Sequence, residues 1–171
     1  GMNPVEAQKQ ADYTLHFKNL QYEPAENVSS FVKSFNVSGQ ELFGDRFYRI
    51  VQFYEIPDHQ TRASLEQAGI TLLDYIPHRA YFAAFHKDYD PNVLVTSKVR
   101  SVGQIAHDAK LAPMLYEESY PDHALREDGK IELLVNYYPG IESDAAVNEL
   151  QEQGYEVVYR EDFGRYVHLV A

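Results

Sequence analysis

Seven histidines are the residues of this chain with the broadest chemical reach: His16, His59, His78, His86, His107, His123 and His168. A zinc helix wants two of them at i, i+4, usually within H-E-x-x-H. No pair in this sequence has that spacing. His107 and Asp108 are adjacent, but neighbouring side chains in a strand point to opposite faces and do not form a catalytic pair. A nucleophilic serine needs a strained elbow such as G-x-S-x-G. Ser29, Ser30, Ser34 and Ser38 sit in polar or ambiguous stretches, and Ser143 reads as a helix cap. Gly39, Gly44 and Gly103 are isolated, so no phosphate-cradling loop is read. Cysteine is absent, which removes disulfides, thiolate ligands and thiol nucleophiles. Glu117-Glu118, Glu127-Asp128 beside Arg126, and Glu161-Asp162 read as solvated charge, not as carboxyls facing each other across a cleft. The expectation is a chain that is not an enzyme and holds neither metal nor cofactor.

The formal net charge of -11 argues against nucleic acid and anionic membrane surfaces as partners, because both need cations on the protein. A hydrophobic share of 44% over 171 residues supplies one ordinary core or two small ones. No apolar run approaches the ~20 residues that span a bilayer. The opening Gly1-Met2-Asn3-Pro4 does not show the basic-then-apolar pattern of a signal peptide. Tryptophan is missing while tyrosine occurs 14 times. Tyrosine has an apolar ring and a polar tip and suits docking surfaces. Tyr54, Tyr75, Tyr81, Tyr137, Tyr138 and Tyr166 are the candidates for a docking face.

The elements that must position these residues come in a doubled pattern. Residues 46–85 and 131–170 repeat one order at a constant offset of 85, with Ile50 on Val135, Leu65 on Leu150, Gly69 on Gly154 and Tyr81 on Tyr166. In the first copy Phe47 to Ile56 reads as a strand buried on both faces, or with an interface on its second face. Asp58 is placed to cap a helix over 59–68, and Gly69 to end it. Strands follow at 70–76 and 80–85 around Pro77-His78-Arg79, then a weak helix at 92–98 and a strand at 99–105. The second copy offers a strand at 130–138, a helix at 144–153, and strands at 155–160 and 166–170 around Asp162-Phe163-Gly164.

The order β-α-β-β-α-β is that of ferredoxin-like units, with an antiparallel sheet and helices on one face, leaving the other face open to a partner. The expected fold class is therefore α+β, with two tandem ferredoxin-like units, the second incomplete. The expected boundaries are an N-terminal extension with one strand (1–45), a first unit (46–112), a linker (113–129) and a truncated second unit (130–171). Within the extension 13–18 reads as the strand, 19–24 as a turn, and 28–35 as ambiguous between a helix and an irregular segment. Without a fourth strand, the strand near Leu134 is expected to expose unpaired backbone groups. Either the strand at 13–18 or a neighbouring chain would cover it.

The runs Tyr48-Arg49-Ile50-Val51-Gln52-Phe53, then 65–77 with its Ala68-Gly69-Ile70, then Ala80-Tyr81-Phe82-Ala83-Ala84-Phe85 resemble the N-terminal region of large secreted subtilisin-like serine peptidases (subtilases) of Bacteroidetes-type bacteria. Leu15-His16-Phe17-Lys18-Asn19, Val99-Arg100-Ser101-Val102 and Lys110-Leu111-Ala112-Pro113 join them, so the resemblance covers about 13–171. It implies tandem propeptide-like domains ahead of a protease, secreted or periplasmic in the parent protein. Such a prodomain assists folding of the peptidase, inhibits it by packing a sheet face on it, or does both, with the catalytic domain as partner in cis beyond Ala171. Two other readings stand beside it. One is a free-standing interaction module that pairs through its open sheet edge, with a homo-oligomer as one form. The other is a small-molecule regulatory domain with a pocket between the two units.

Overall fold

The computed structural model describes residues 10–106, 110, 115, 120–160 and 166–171, and for Tyr166 the backbone. The fold is α+β, with antiparallel sheets throughout the described residues. The chain divides into two compact units, Gly1–Lys110 and Leu111–Ala171.

The first unit begins with a hairpin of β1 (Leu15–His16) and β2 (Gln21–Tyr22), closed by Phe17 N–H donating to the Leu20 carbonyl at 2.7 Å. The expected strand at 13–18 is thus two residues long, and β2 falls in the stretch read as a turn. Helix α1 (Val28–Ser34) follows, resolving the ambiguous 28–35 segment as helical. Then come β3 (Arg46–Phe53), α2 (His59–Gln67), β4 (Ile70–Ile76), β5 (Ala80–His86), α3 (Asn92–Thr96) and β6 (Val99–Gly103). The four strands among these six elements build one sheet in the order β4-β5-β3-β6.

Local chemistry explains the elements. The Asp58 carboxylate accepts from Thr61 N–H at 2.8 Å at the start of α2, which holds its pKa below the usual aspartate range. Gly69 takes φ +91 just past that helix, and its N–H donates to the Glu66 carbonyl. A Cβ there would stand 3.2 Å from the His86 Cβ, a tight contact that adds to the conformational preference for glycine. β3 is buried from Phe47 onward except for half-buried Tyr48, as expected of a strand covered on both faces. Its odd-numbered residues Phe47, Val51 and Phe53 join Leu65, Ile70, Tyr81, Phe85 and Leu94 in the core beneath the helices, with Val28, Phe31, Val32 and Phe35 of the α1 region packed against it. Ile50 faces the other way, into a cluster with Leu15, Ile76 and Ala80, edged by Phe17 and Tyr22. The second sheet face, expected to be open, therefore carries the N-terminal hairpin.

The second unit contains β7 (Glu132–Asn136), α4 (Ser143–Glu152), β8 (Glu156–Arg160) and β9 (Tyr166–Val170), with sheet order β7-β9-β8. At the offset of 85 that is the order of β3, β5 and β4. The register repeats too: Phe47↔Phe85 and Ile50↔Phe82 become Glu132↔Val170 and Val135↔Val167. The β4–β5 pairing is displaced by one residue in its copy on both sides of a bulge, which falls at Leu73 and Asp74 in β4 and at Val158 in β8. Gly154 ends α4 at φ +93, as Gly69 ends α2. Ser143 does not cap α4. It is the first helical residue, Glu142 holds the cap position without a side-chain hydrogen bond, and the Ser143 hydroxyl is buried without a partner. Asp162-Phe163-Gly164, His107-Asp108 and Glu117-Glu118 lie outside the described residues.

Candidate functional site

The six tyrosines do not form one face. Tyr81 is a core residue at 4% exposure, with its ring edge-on to Phe53 at 5.9 Å and under the Arg62 guanidinium at 4.8 Å. Its strand is apolar at nearly every position, so no alternation marked it as inward. Tyr137 and Tyr138 are half-buried after β7, in the second unit. The Tyr166 side chain lies outside the description. Tyr54 and Tyr75 are brought together: both line an open cleft of about 560 Å³ in the first unit, with Glu55, Ile56, His78, Arg79 and Asp12.

The cleft is built on the three-residue turn between β4 and β5. His78 and Arg79 both have positive φ, 70° and 63°, which costs a non-glycine residue roughly 1–2 kcal/mol each. Several bonds hold them there. The buried Gln52 amide donates to the His78 carbonyl at 3.0 Å and to the Tyr13 carbonyl at 2.9 Å. His78 Nδ1 donates to the Thr14 carbonyl at 2.6 Å. Arg79 N–H donates to the Tyr75 hydroxyl at 3.3 Å, and its Nη2 to the Asp12 carbonyl at 2.8 Å. Asp12 accepts from Thr14 N–H at 2.9 Å, which lowers its pKa, so the carboxyl is ionised near neutrality. Tyr13 receives two guanidinium groups, Arg79 at 4.6 Å and Arg100 at 4.2 Å from its ring centroid. Arg100 in turn bonds Gln52 Oε1 at 3.1 Å, the Pro24 carbonyl at 2.6 Å and Glu23 at 3.3 Å. Sequence reasoning missed Gln52 and Arg100. Polar residues inside otherwise apolar strands were the available signal.

The sheet edges differ. At β6, Asn27 acts as a surrogate strand: its Nδ2 donates to the Val102 carbonyl at 2.8 Å, its Oδ1 accepts Val102 N–H at 2.9 Å, and its own N–H donates to the Arg100 carbonyl at 3.2 Å. β4, the opposite edge, carries the bulge with exposed Asp74. β8 carries the Val158 bulge, and its Arg160 pairs with Asp144 of α4. Among the described residues β7 has neither device: its register on β9 is continuous. Ile131 exchanges both backbone hydrogen bonds with Ala171, so by antiparallel alternation the N–H and C=O of Leu133 and Val135 face β9. Those of Leu134 and Asn136 face outward. Leu125 occupies the place beside Ile131, covering the beginning of that edge. On one sheet face Leu134, His168 and Tyr159 are direct cross-strand neighbours. Leu134 is 68% and Tyr159 62% exposed, and His168 Nε2 lies 3.2 Å from a Glu132 carboxylate oxygen.

A second pocket, about 360 Å³, lies within the first unit beneath residues 20–27, with Tyr22, Ile50 and Val102 in its walls. Among the described residues no three metal-ligating side chains cluster, and no helix is long and apolar enough to cross a membrane.

Residues 16–106 match the family model described as a domain of unknown function, DUF8729, and the chain belongs to that family. The match runs from the N-terminal hairpin past β6, so hairpin, α1 and four-stranded sheet all belong to the family's domain. No curated protein and no solved structure matches the chain.

Proposed function

We propose that the chain is a non-catalytic protein-docking module, of the prodomain or accessory type that accompanies subtilisin-like serine peptidases, and that it docks through the sheet of its second unit. Its two units are read as ferredoxin-like. For the first, the order β-α-β-β-α-β and the sheet order β4-β5-β3-β6 support this, and for the second, the repeated strand order and register. The observation that carries the docking reading is the β7 edge beside the Leu134–His168–Tyr159 row. Outward backbone groups give a partner strand its hydrogen bonds, and exposed apolar side chains on the adjoining face give it contact area. The peptidase as partner comes from the sequence resemblance.

The test is titration of the purified chain into the catalytic domain of a secreted subtilisin-like peptidase, reading peptide hydrolysis and binding together. Saturable binding is expected, and Leu134→Arg should weaken it at least about tenfold, because a central apolar contact is replaced by a charge. Absence of binding, or a Leu134→Arg variant that binds as tightly, would reject the reading.

A further inference from the structure

We infer that the Tyr54–Tyr75 cleft of the first unit receives an arginine side chain of a partner protein. The first argument is charge. The cleft wall carries the Asp12 and Glu55 carboxylates, and the Glu26 carboxylate pushes the pKa of the Tyr54 phenol up. Arg79, the cation of the lining, has its guanidinium on Tyr13 and Nη2 on a backbone carbonyl. Glu55 pairs with Lys98 at 3.3 Å, but both side chains are mostly exposed, so an incoming cation competes for Glu55 at small cost. The second argument is shape. Tyr54 stands edge-on to Tyr13 and Tyr75 edge-on to Tyr81, with centroids 6.4 and 5.2 Å apart. They are the outer rings of two aromatic pairs, and exposed Ile56 adds an aliphatic wall for a side-chain stem.

The third argument is the chain's own usage. Within this unit guanidinium groups lie on Tyr13, Tyr81, Phe35 and Phe47 at 4.2 to 5.1 Å. The rings they occupy include Tyr13 and Tyr81, the inner partners of Tyr54 and Tyr75. A planar guanidinium stacks on a ring and reaches carboxylates with its edge, which a lysine ammonium cannot do at once. The inference rests on the docking reading only in taking a protein side chain as the ligand.

The test uses acetyl-Gly-Arg-Gly-amide, with the norleucine and glutamate counterparts as controls, titrated into the full chain at low salt while backbone amide resonances are followed. Saturable shifts confined to 54–56, 75 and 78–79 are expected with the arginine peptide alone. They should weaken several-fold in Glu55→Gln, a surface change, and about tenfold in Tyr75→Leu, while Tyr75→Phe keeps the ring and most of the binding. Equal response to the norleucine or glutamate peptide, shifts scattered over the surface, or silence up to the solubility of the arginine peptide overturns the inference. Peptidase binding through the second unit is read independently, so either proposal can fail alone.

Discussion

On β3 of the first unit Arg49 lies beneath Phe35, 5.1 Å from that ring, and its Nη2 meets a Glu41 carboxylate oxygen at 2.9 Å. The matching position on β7 is Leu134, and it is 68% exposed. The two strands share an order and a register, yet one buries a cation where the other shows an apolar side chain to water. The difference comes from residues 12–42. In the first unit they lay a hairpin on one sheet face, pack α1 and its flanks against the other side and set Asn27 on the β6 edge. The doubled strands therefore make a backbone scaffold, and in the first unit the added segment makes the Arg49 position interior where its counterpart Leu134 is exposed. Polar groups follow that cover: Arg49, Gln52 and Arg100 are buried because partners come with it.

Deleting a ring from the covered unit should have the largest effect. Phe47→Ala removes a fully buried side chain and should cost about 3–5 kcal/mol in denaturant unfolding of the first unit. Leu134→Ala in the second should stay within ~0.5 kcal/mol. Equal costs would erase the distinction between the buried β3 position and the exposed β7 one. Gln52→Ala comes next. It leaves the Tyr13 and His78 carbonyls and one Arg100 donor without their partner, and about 2–3 kcal/mol should be lost. Limited proteolysis should then cut within 12–24, and uncut chain would show that the hairpin holds without the glutamine. The smallest effect is at the edges. Val102 N–H, bonded by Asn27, should exchange with deuterium more slowly than Leu134 N–H. Asn27→Ala should narrow the gap by about 1 kcal/mol, roughly fivefold in opening. A Leu134 amide already as protected as Val102 would mean that β7 has a cover of its own.

The doubled scaffold was legible because its signals are local. Asp58, Gly69 and Gly154 mark helix ends through backbone preferences that neighbours in sequence express, and the offset of 85 carried the strand pattern from one copy to the other. The cover was not legible. Asn27 bonds a residue 75 positions away, and Gln52 one 39 positions away, and no periodicity encodes such pairs. Asn27 even occupies the cap position of α1, where its side chain would ordinarily bond the helix; the edge strand takes it instead. Of the candidate tyrosines, Tyr54 and Tyr75 reach one cleft because the β4–β5 turn returns beside the end of β3. Tyr81 shows where side-chain type without alternation misleads.

Asn27 has one more consequence, in chemical ageing. Its amide presents a donor to one peptide oxygen and an acceptor to one peptide N–H. Hydrolysis to aspartate would keep the acceptor but turn a second oxygen toward the Val102 carbonyl, setting two acceptors face to face. A slow covalent change at one atom would uncap β6 and make the first unit's sheet edge resemble the second's.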